Sequence, residues 1–155
     1  MIYYKSSTTK HFYTYPNMQM PRLKKIETLE APKALGPYSQ GVSTTNLQGH
    51  DLIFVSGMLP IDPSTGIMLQ GDIRLLTRQV ILNLSAVLNA GGSHLRNVLK
   101  VDVFLIDLKN DFALMNEEYA VWFTGNPSPA RQTIQVSALP LHARVEISCI
   151  AIGND

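Results

Sequence analysis

Cysteine is almost missing from the sequence, because Cys149 is the only one in 155 residues. A disulfide within the chain is therefore impossible, which suits a reducing compartment, and we expect a cytoplasmic protein. Cys149 lies in the apolar run VEISCIAI, which predicts a small buried residue. Long hydrophobic runs are missing too, and none reaches the roughly 18 residues that span a membrane. We therefore expect a soluble chain with no membrane partner.

Metal and cofactor motifs are absent as well. The four histidines lie far apart along the chain, and neither HxxxH nor CxxC spacing occurs. The sequence contains no P-loop, no GxGxxG, and no motif that pairs a serine or cysteine nucleophile with a base. These absences predict a protein that uses no metal and no bound cofactor.

Acidic residues are missing from residues 1–26, which carry five basic residues. The rest of the chain holds all twelve acids against eight bases, a net charge of −4. This mildly acidic body argues against a nucleic-acid groove, which needs concentrated positive charge. Residues 1–25 lack the apolar stretch of a secretory signal. They could be a disordered arm, an organelle-targeting peptide or sequence upstream of a later start, and we expect a poorly ordered arm beside one domain at 26–155.

The hydrophobic content of 45% is enough for the core of a single domain. Short strands are predicted at 26–32, 42–46 and 51–57, followed by a loop rich in proline and glycine. A helix is predicted next, because apolar residues share one stripe at steps of three and four: Ile73, Leu76, Val80, Leu84 and Leu88. Asp72 is its expected N-terminal cap, and Gly91 and Gly92 are its expected stop.

A second helix is predicted in DFALMNEEYAVWF, with Asp111 as its cap and a buried stripe of Phe112, Met115, Tyr119 and Trp122. The alternating segment VLKVDVFLIDL between the helices reads as a strand. Two further strands at 131–138 and 144–151 complete the order β, β, β, α, β, α, β, β. This order predicts a two-layer α/β sandwich, in which a mixed sheet carries both helices on one face.

Alternation along the last two strands predicts which face each side chain lies on. The apolar positions should meet the helices: Ile134, Val136, Val145, Ile147 and Cys149. The opposite positions carry Arg131, Thr133, Gln135, Ser137, Glu146 and Ser148. This second face is too mixed for a core, and we expect a subunit interface with wet clefts there.

Arg131 and Glu146 are the candidate catalytic pair, predicted to lie near each other on that second face. A fixed arginine can bind a substrate carboxylate through two parallel hydrogen bonds, and a carboxylate beside it can hold and polarise a water. The alternative is an ordinary cross-strand ion pair, worth about 0–1 kcal/mol if exposed.

Three further residues are open to two interpretations. Tyr38 follows the pinned backbone of Gly36-Pro37 and is either a packing residue or a wall of a binding site. Asn116 lies on the second helix, either solvated or in a pocket. Ser56 ends a buried strand, where it either forms a tight turn or contacts a ligand.

Six segments follow one another in the order and spacing of a known family: APKALGPYSQGV, LIFVSGMLPIDPSTG, GDIRLLTRQVILNLSAVL, VLKVDVFLIDLKNDFALMNEEYAVWF, PSPARQTIQVSALP and RVEISCIAI. From about residue 26 to its end, the chain closely resembles the Rid family, the reactive intermediate deaminases, also called the YjgF family. The resemblance leaves out the N-terminal arm.

The resemblance implies a chorismate-mutase-like fold and a homotrimer, in which three sheets pack their non-helical faces as a barrel. It implies ligand clefts between subunits and cofactor-independent hydrolysis of 2-iminopropanoate and 2-iminobutanoate to 2-oxo acids and ammonia. This activity would protect pyridoxal-phosphate enzymes from damage by these imines.

By position, the resemblance implies that Arg131 binds the substrate carboxylate and that Glu146 positions the attacking water. It implies that Tyr38 forms a wall of the cleft and comes from the adjacent subunit. Ser56 and Asn116 match further pocket positions. Thr133 departs from the pattern, since many relatives have cysteine there, although its backbone can still serve the leaving nitrogen.

Two other functions compete with the deaminase. One is a regulatory trimer that binds small 2-oxo or imino acids without turnover. The other is an RNA-directed translation inhibitor or an interaction role that the basic arm would assist.

Overall fold

The fold is a six-stranded mixed sheet with two helices on one face, seen in a computed structural model that describes residues 22–45 and 51–153. The elements are, in chain order, β1 Leu23–Ile26, β2 Gly41–Thr45, β3 Asp51–Met58, β4 Ile61–Asp62, β5 Ile67–Met68, α1 Ile73–Ala90, β6 Val98–Leu105, α2 Leu108–Trp122, β7 Ala130–Gln135 and β8 Val145–Ile152. The sheet order is β1-β2-β3-β8-β6-β7. Neighbours pair antiparallel except β6 and β7, which are parallel, and β4 and β5 form a separate hairpin.

Helix α1 confirms the prediction from its stripe and cap. The Asp72 carboxylate accepts a hydrogen bond from the Leu75 backbone N–H at 2.9 Å, which satisfies one of the free donors of the first turn. All five residues of the predicted stripe are buried. The helix ends at Gly91, and Gly92 adopts a left-handed φ of 77° that a side chain would disfavour. The buried stripe packs α1 onto β3 and β8.

Helix α2 begins earlier than predicted, and Asp111 is not its cap. Asp107 caps the helix by accepting from the Asn110 backbone N–H at 3.2 Å. Asp111 lies inside the helix, is only 3% exposed and accepts from the Arg144 guanidinium at 2.5 Å. Phe112, predicted to be buried, is 40% exposed. The apolar pattern gave the wrong start and face for α2, because its buried side includes two carboxylates. Asp111 is paired with Arg144, and Glu118 is paired with Arg78.

The helical face of the sheet forms the core as predicted for β6 and β8. Its buried residues are Val101, Val103, Leu105, Val145, Ile147 and Cys149. Burial raises the pKa of the Cys149 thiol to about 12. The opposite side of the sheet, which we call the open face, carries Phe104, Glu146, Ser148 and Ile150, all half-buried.

The prediction for β7 is wrong, because its side chains face the other way. β7 pairs parallel with β6, with Val101 beside Arg131 and Phe104 beside Ile134. Side chains of paired residues lie on the same face, so Arg131, Thr133 and Gln135 lie on the helical face. Gln135 accepts a hydrogen bond from the Leu108 backbone N–H of α2 at 3.0 Å, which agrees with that orientation. Ile134 is 44% exposed on the open face. As the edge strand, β7 is only partly covered by α2, so polar residues are tolerated on its helical side.

Several other boundaries differ from the predictions. The first strand is Leu23–Ile26 rather than 26–32, and the loop predicted after β3 contains the β4–β5 hairpin. The last two strands are Ala130–Gln135 and Val145–Ile152. Residues 1–21, which make up most of the predicted arm, lie outside the described residues, as do residues 46–50 at the end of the second predicted strand and after it. None of the helices in the described part of the chain is both long and apolar enough to cross a membrane.

Candidate functional site

Glu146 of β8 lies against the backbone of Gly57 on the open face. The register between β3 and β8 shifts between Val55 and Met58, and this irregularity contains Gly57. A Cβ at position 57 would lie 2.7 Å from the Cδ of Glu146 and would overlap its carboxylate oxygen. Glycine is thus the residue that leaves room for the carboxylate.

The Glu146 carboxylate is partly removed from water and lacks a charged or hydrogen-bonding partner in the described part of the chain. Burial raises its pKa above the ordinary glutamate value. Among the residues that the structure describes, it has neither an ion-pair partner nor a hydrogen-bond donor. Such a carboxylate is suited to hold a water and to accept a proton from it.

Ser56 and Tyr38 are neighbours of Gly57, the glycine that leaves room for this carboxylate. The Ser56 hydroxyl donates to the Ser39 carbonyl at 2.7 Å, and its backbone N–H donates to the Gln40 carbonyl at 3.0 Å. These bonds fasten the GPYSQ segment to β3. Tyr38 and Gly57 line the same shallow crevice. The Tyr38 ring is 48% exposed, and its hydroxyl accepts from the Leu35 backbone N–H at 3.0 Å.

Gln40 organises the loop that carries Tyr38, and the sequence analysis missed it. Its amide is 3% exposed and donates to the carbonyls of Thr28, Ala31 and Pro32 at 2.7–3.1 Å. Its oxygen accepts from the Thr28 backbone N–H at 2.7 Å. One buried side chain therefore satisfies four backbone groups of an irregular segment. We call Tyr38, Ser56, Gly57 and Glu146 the carboxylate half of the site.

Arg131 begins a second group on the helical side of β7. Its guanidinium carbon lies 4.4 Å from the centroid of the Tyr119 ring of α2. Asn116 lies on α2 one turn before Tyr119, and Thr133 follows Arg131 on the same face of β7. The Thr133 Oγ1 is buried with no hydrogen-bond partner among the described residues. We call Asn116, Tyr119, Arg131 and Thr133 the guanidinium half of the site.

Ion pairs between the helices fix α2, which carries two members of the guanidinium half. Arg78 of α1 donates two hydrogen bonds to the buried Glu118 carboxylate at 2.9 and 3.0 Å, and Trp122 donates a third at 3.0 Å. The hydrogen bonds from Arg78, more than any other cause, lower the pKa of Glu118. Arg74 pairs with Glu117 at the exposed edge of the same contact. The helix pair is thereby held in one register.

The two halves lie on opposite faces of the sheet, and β6 separates β7 from β8, so the prediction that Arg131 and Glu146 lie near each other on the second face is wrong. Tyr38, Ser56 and Glu146 are all neighbours of Gly57. Thr133 shares the helical face of β7 with Arg131, and Asn116 lies one turn of α2 from the Tyr119 ring that contacts Arg131. A single chain cannot present both the guanidinium and the carboxylate to one small molecule across its own sheet.

Sequence reasoning missed three supporting residues. Tyr119 was assigned only to a buried stripe, Gly57 to a tight turn, and Gln40 was not considered. For Gly57, the glycine at the end of a strand of large residues was a usable signal of a close approach. The roles of Tyr119 and Gln40 depend on contacts between distant segments and have no local signal. Within the described residues, no group of three His, Cys, Asp or Glu side chains could hold a metal ion.

The fold defines a class of α/β proteins in which a mixed six-stranded sheet carries two helices on one face. Comparison with known proteins is specific: the family model described as Endoribonuclease L-PSP matches residues 28–153. The chain belongs to this family, the Rid or YjgF family.

Named relatives and a solved structure agree with that membership. The RutC family protein PH0854 of Pyrococcus horikoshii is 48% identical over 126 residues, covering 81% of this chain and 94% of the relative. The 2-iminobutanoate/2-iminopropanoate deaminase of Mus musculus is 42% identical, covering 83% of this chain and 90% of the relative. The crystal structure of E. coli TdcF with bound serine has a TM-score of 0.74 and 38% identity, covering 84% of this chain and 99% of that one.

Proposed function

We propose that the protein hydrolyses small 2-imino acids, such as 2-iminopropanoate and 2-iminobutanoate, to 2-oxo acids and ammonia. The names of similar proteins support this activity, since the mouse relative is a 2-iminobutanoate/2-iminopropanoate deaminase. The observation that carries the proposal is the state of two charged groups. Arg131 is an exposed guanidinium with no carboxylate partner among the described residues, and Glu146 is a desolvated carboxylate with no cationic partner there. Each lacks the complement that a 2-imino acid and a water would supply.

The complete site requires two copies of the chain. Large apolar side chains of the open face are exposed, including Phe54 at 43% and Ile134 at 44%. Covering such a surface with another copy would be favourable, at roughly 25 cal/mol per Å² of apolar area. In this arrangement the guanidinium half of one copy meets the carboxylate half of its neighbour, and Tyr38 comes from the neighbour. A homotrimer, as the family resemblance implies, would contain three such clefts.

The chemistry needs only orientation and charge. Arg131 binds the substrate carboxylate through two parallel N–H donors, which places the imine carbon in the cleft. Glu146 holds a water and accepts its proton as the oxygen attacks that electrophilic carbon. Glu146 returns its proton to the nitrogen of the resulting carbinolamine. Ammonia then leaves as the carbinolamine hydroxyl gives up its proton to the Glu146 carboxylate, which forms the C=O of the 2-oxo acid. Holding both reactants in place converts an encounter in solution into a local step.

A coupled assay tests the proposal. A pyridoxal-phosphate dehydratase that acts on threonine generates the imine, and release of 2-oxobutanoate is followed with and without this protein. Wild type should accelerate release, and Arg131→Ala should lose about 100-fold in kcat/KM, since two charge-assisted hydrogen bonds are lost.

Arg96→Ala is the matched control, because Arg96 is an exposed arginine outside both half-sites. It should accelerate release as wild type does. Equal acceleration by Arg131→Ala would refute the enzymatic assignment. Binding of 2-oxobutanoate without acceleration by wild type would favour the regulatory trimer instead.

A further inference from the structure

We propose that Tyr119 is a positioning residue that holds the Arg131 guanidinium ready for a substrate carboxylate. The inference rests on the proposed function for the role of Arg131, and it adds a residue that acts through Arg131 without touching the substrate.

The contact between the two side chains is close. The Arg131 guanidinium carbon lies 4.4 Å from the Tyr119 ring centroid, within the range of a cation–π interaction. The ring itself is fixed, because Tyr119 is only 7% exposed and stacks on Phe123 with centroids 4.2 Å apart and planes 19° apart. The guanidinium therefore lies on a rigid surface rather than in open solvent.

Other arginines of the helical layer are held differently. Arg78 is bound by the Glu118 carboxylate, Arg144 by Asp111, and Arg74 by Glu117. A carboxylate uses N–H donors of the guanidinium and offsets its charge. An aromatic face attracts the cation while leaving its five N–H donors free. Of these four arginines, the one on the ring is the one whose donors remain available for an anionic ligand.

The ionisation state of Tyr119 fits this role. Burial raises the pKa of its phenol to about 12, so the hydroxyl stays protonated at neutral pH and does not become an anion that would pair with Arg131. The hydroxyl is buried with no hydrogen-bond partner among the described residues. The ring face, rather than the hydroxyl, makes the contact, and phenylalanine should perform the same task.

A positioning surface matters at this place in the fold. Arg131 is at the second residue of an edge strand, where the strand has a neighbour on one side only. A long side chain there samples many rotamers, and ordering it on substrate binding costs affinity. Tyr119 limits those rotamers before the substrate arrives.

The test compares Tyr119→Leu, which removes the ring, with Tyr119→Phe, which keeps it. Met115→Ala is the packing control, since it opens a cavity in the fully buried stripe of the same helix without removing the ring. The dissociation constant of 2-oxobutanoate is measured by calorimetry for each variant, alone and combined with Arg131→Ala. The Arg131 Nε–H resonance is recorded by NMR as a readout of position, because a ring face shifts it upfield.

Tyr119→Leu should bind 2-oxobutanoate about fivefold more weakly, whereas Tyr119→Phe and Met115→Ala should bind it as wild type does. In the Arg131→Ala background the Leu substitution should cause no further loss, because the two residues act as one unit. The upfield shift should persist in Tyr119→Phe and vanish in Tyr119→Leu. In the coupled assay the Leu variant should raise KM more than it lowers kcat.

Wild-type affinity in Tyr119→Leu, or an equal loss with and without Arg131, would overturn the inference. Should the Leu variant fail to fold, an Arg131 Nε–H in wild type with no upfield shift relative to Arg96 would overturn it as well. If wild type binds 2-oxobutanoate with the expected coupling but does not hydrolyse imines, the deaminase proposal fails and the positioning role stands.

Discussion

The two halves of the candidate site are held in place by different means. Glu146 and Gly57 belong to β8 and β3, central strands whose other face is the core. Arg131 belongs to the edge strand β7 and is steadied by one ring. The carboxylate half is thus fixed by the folding of its own chain, whereas the guanidinium half lies on an edge strand of the sheet that the structure describes. In the assembly proposed above, the guanidinium half is therefore the one that depends more on the neighbouring copy.

The most decisive test of this comparison inactivates the guanidinium half in one copy of the chain and the carboxylate half in another, and then mixes the two. Arg131→Ala and Glu146→Gln should each keep only a residual activity alone, about 1% of wild type. Mixed subunits, refolded together one to one, should recover about a quarter of wild-type activity, because about a quarter of the clefts then pair an intact half from each chain. The coupled imine assay measures the recovery.

The control for that mixture combines Arg131→Ala with the double variant Arg131→Ala, Glu146→Gln, in which every cleft lacks the guanidinium. It should stay at the residual activity of the single variants. If the first mixture also stays at that level, Arg131 and Glu146 do not serve one site from two copies.

Gly57→Ala should damage the carboxylate half without touching the guanidinium half. The new methyl group occupies the place of the Glu146 carboxylate, and a displacement of about 1 Å in a catalytic group can cost about 100-fold in rate. We expect a drop in kcat of about 10- to 100-fold, measured in the coupled assay, with unchanged calorimetric affinity for 2-oxobutanoate. Gly125→Ala, whose added Cβ has only an ordinary contact, should keep wild-type kcat. Wild-type kcat in Gly57→Ala would show that the Glu146 position is not critical.

The raised pKa of Glu146 predicts a pH dependence of the carboxylate half. Because the carboxylate must be ionised to accept a proton, kcat/KM should fall as pH decreases through a midpoint above 4.5, the ordinary value for this group. This limb should disappear in Glu146→Gln. A limb that persists in the Gln variant would assign the titration to another group.

The ionised Glu146 carboxylate should favour activity but lower the stability of the fold. The folded state binds the Glu146 proton more tightly than the unfolded state does, so the ionised carboxylate opposes folding at neutral pH. Glu146→Gln should therefore raise the melting temperature at pH 7, and the gain should shrink as pH falls through the raised pKa toward 4.5. Thermal unfolding followed across this range checks the sign.

The smallest effect is expected at Thr133 in the guanidinium half. Its hydroxyl is buried without a partner among the described residues, so Thr133→Val should change stability by less than about 1 kcal/mol. If only the backbone of residue 133 serves the site, kcat/KM should stay within about twofold of wild type. A larger loss in kcat/KM would indicate that the Thr133 hydroxyl itself takes part in binding or catalysis.

The core of the fold was predictable because its signals are local and redundant. The stripe of α1 and the alternation in β6 both report burial at the contact between helices and sheet, and the cap at Asp72 marks where the helix starts. Asp111 was misassigned because a buried carboxylate looks like a cap when its partner, Arg144, is 33 residues away. Edge strand β7 was assigned to the wrong face because hydropathy reports burial, and an edge strand is poorly buried on both sides.

For the site, residue types were predictable and their relation in space was not. Arg131 and Glu146 were found from their chemistry and from a family resemblance. Their placement on opposite faces follows from the register of β7 on β6, which no local pattern encodes. Tyr119 has the same sequence signal as any buried aromatic residue, and only the contact with Arg131 distinguishes it.

The burial of Cys149 has a consequence for a protein that would handle electrophiles. Imines and the enamines that precede them react with thiolates, and such adducts would inactivate a catalyst that exposed one. Here the sole sulfhydryl is 3% exposed, and its pKa of about 12 leaves almost no nucleophilic form at neutral pH. With threonine at 133, the guanidinium half offers no sulfur either. The chain is therefore built to resist alkylation by the reactive molecules it would encounter.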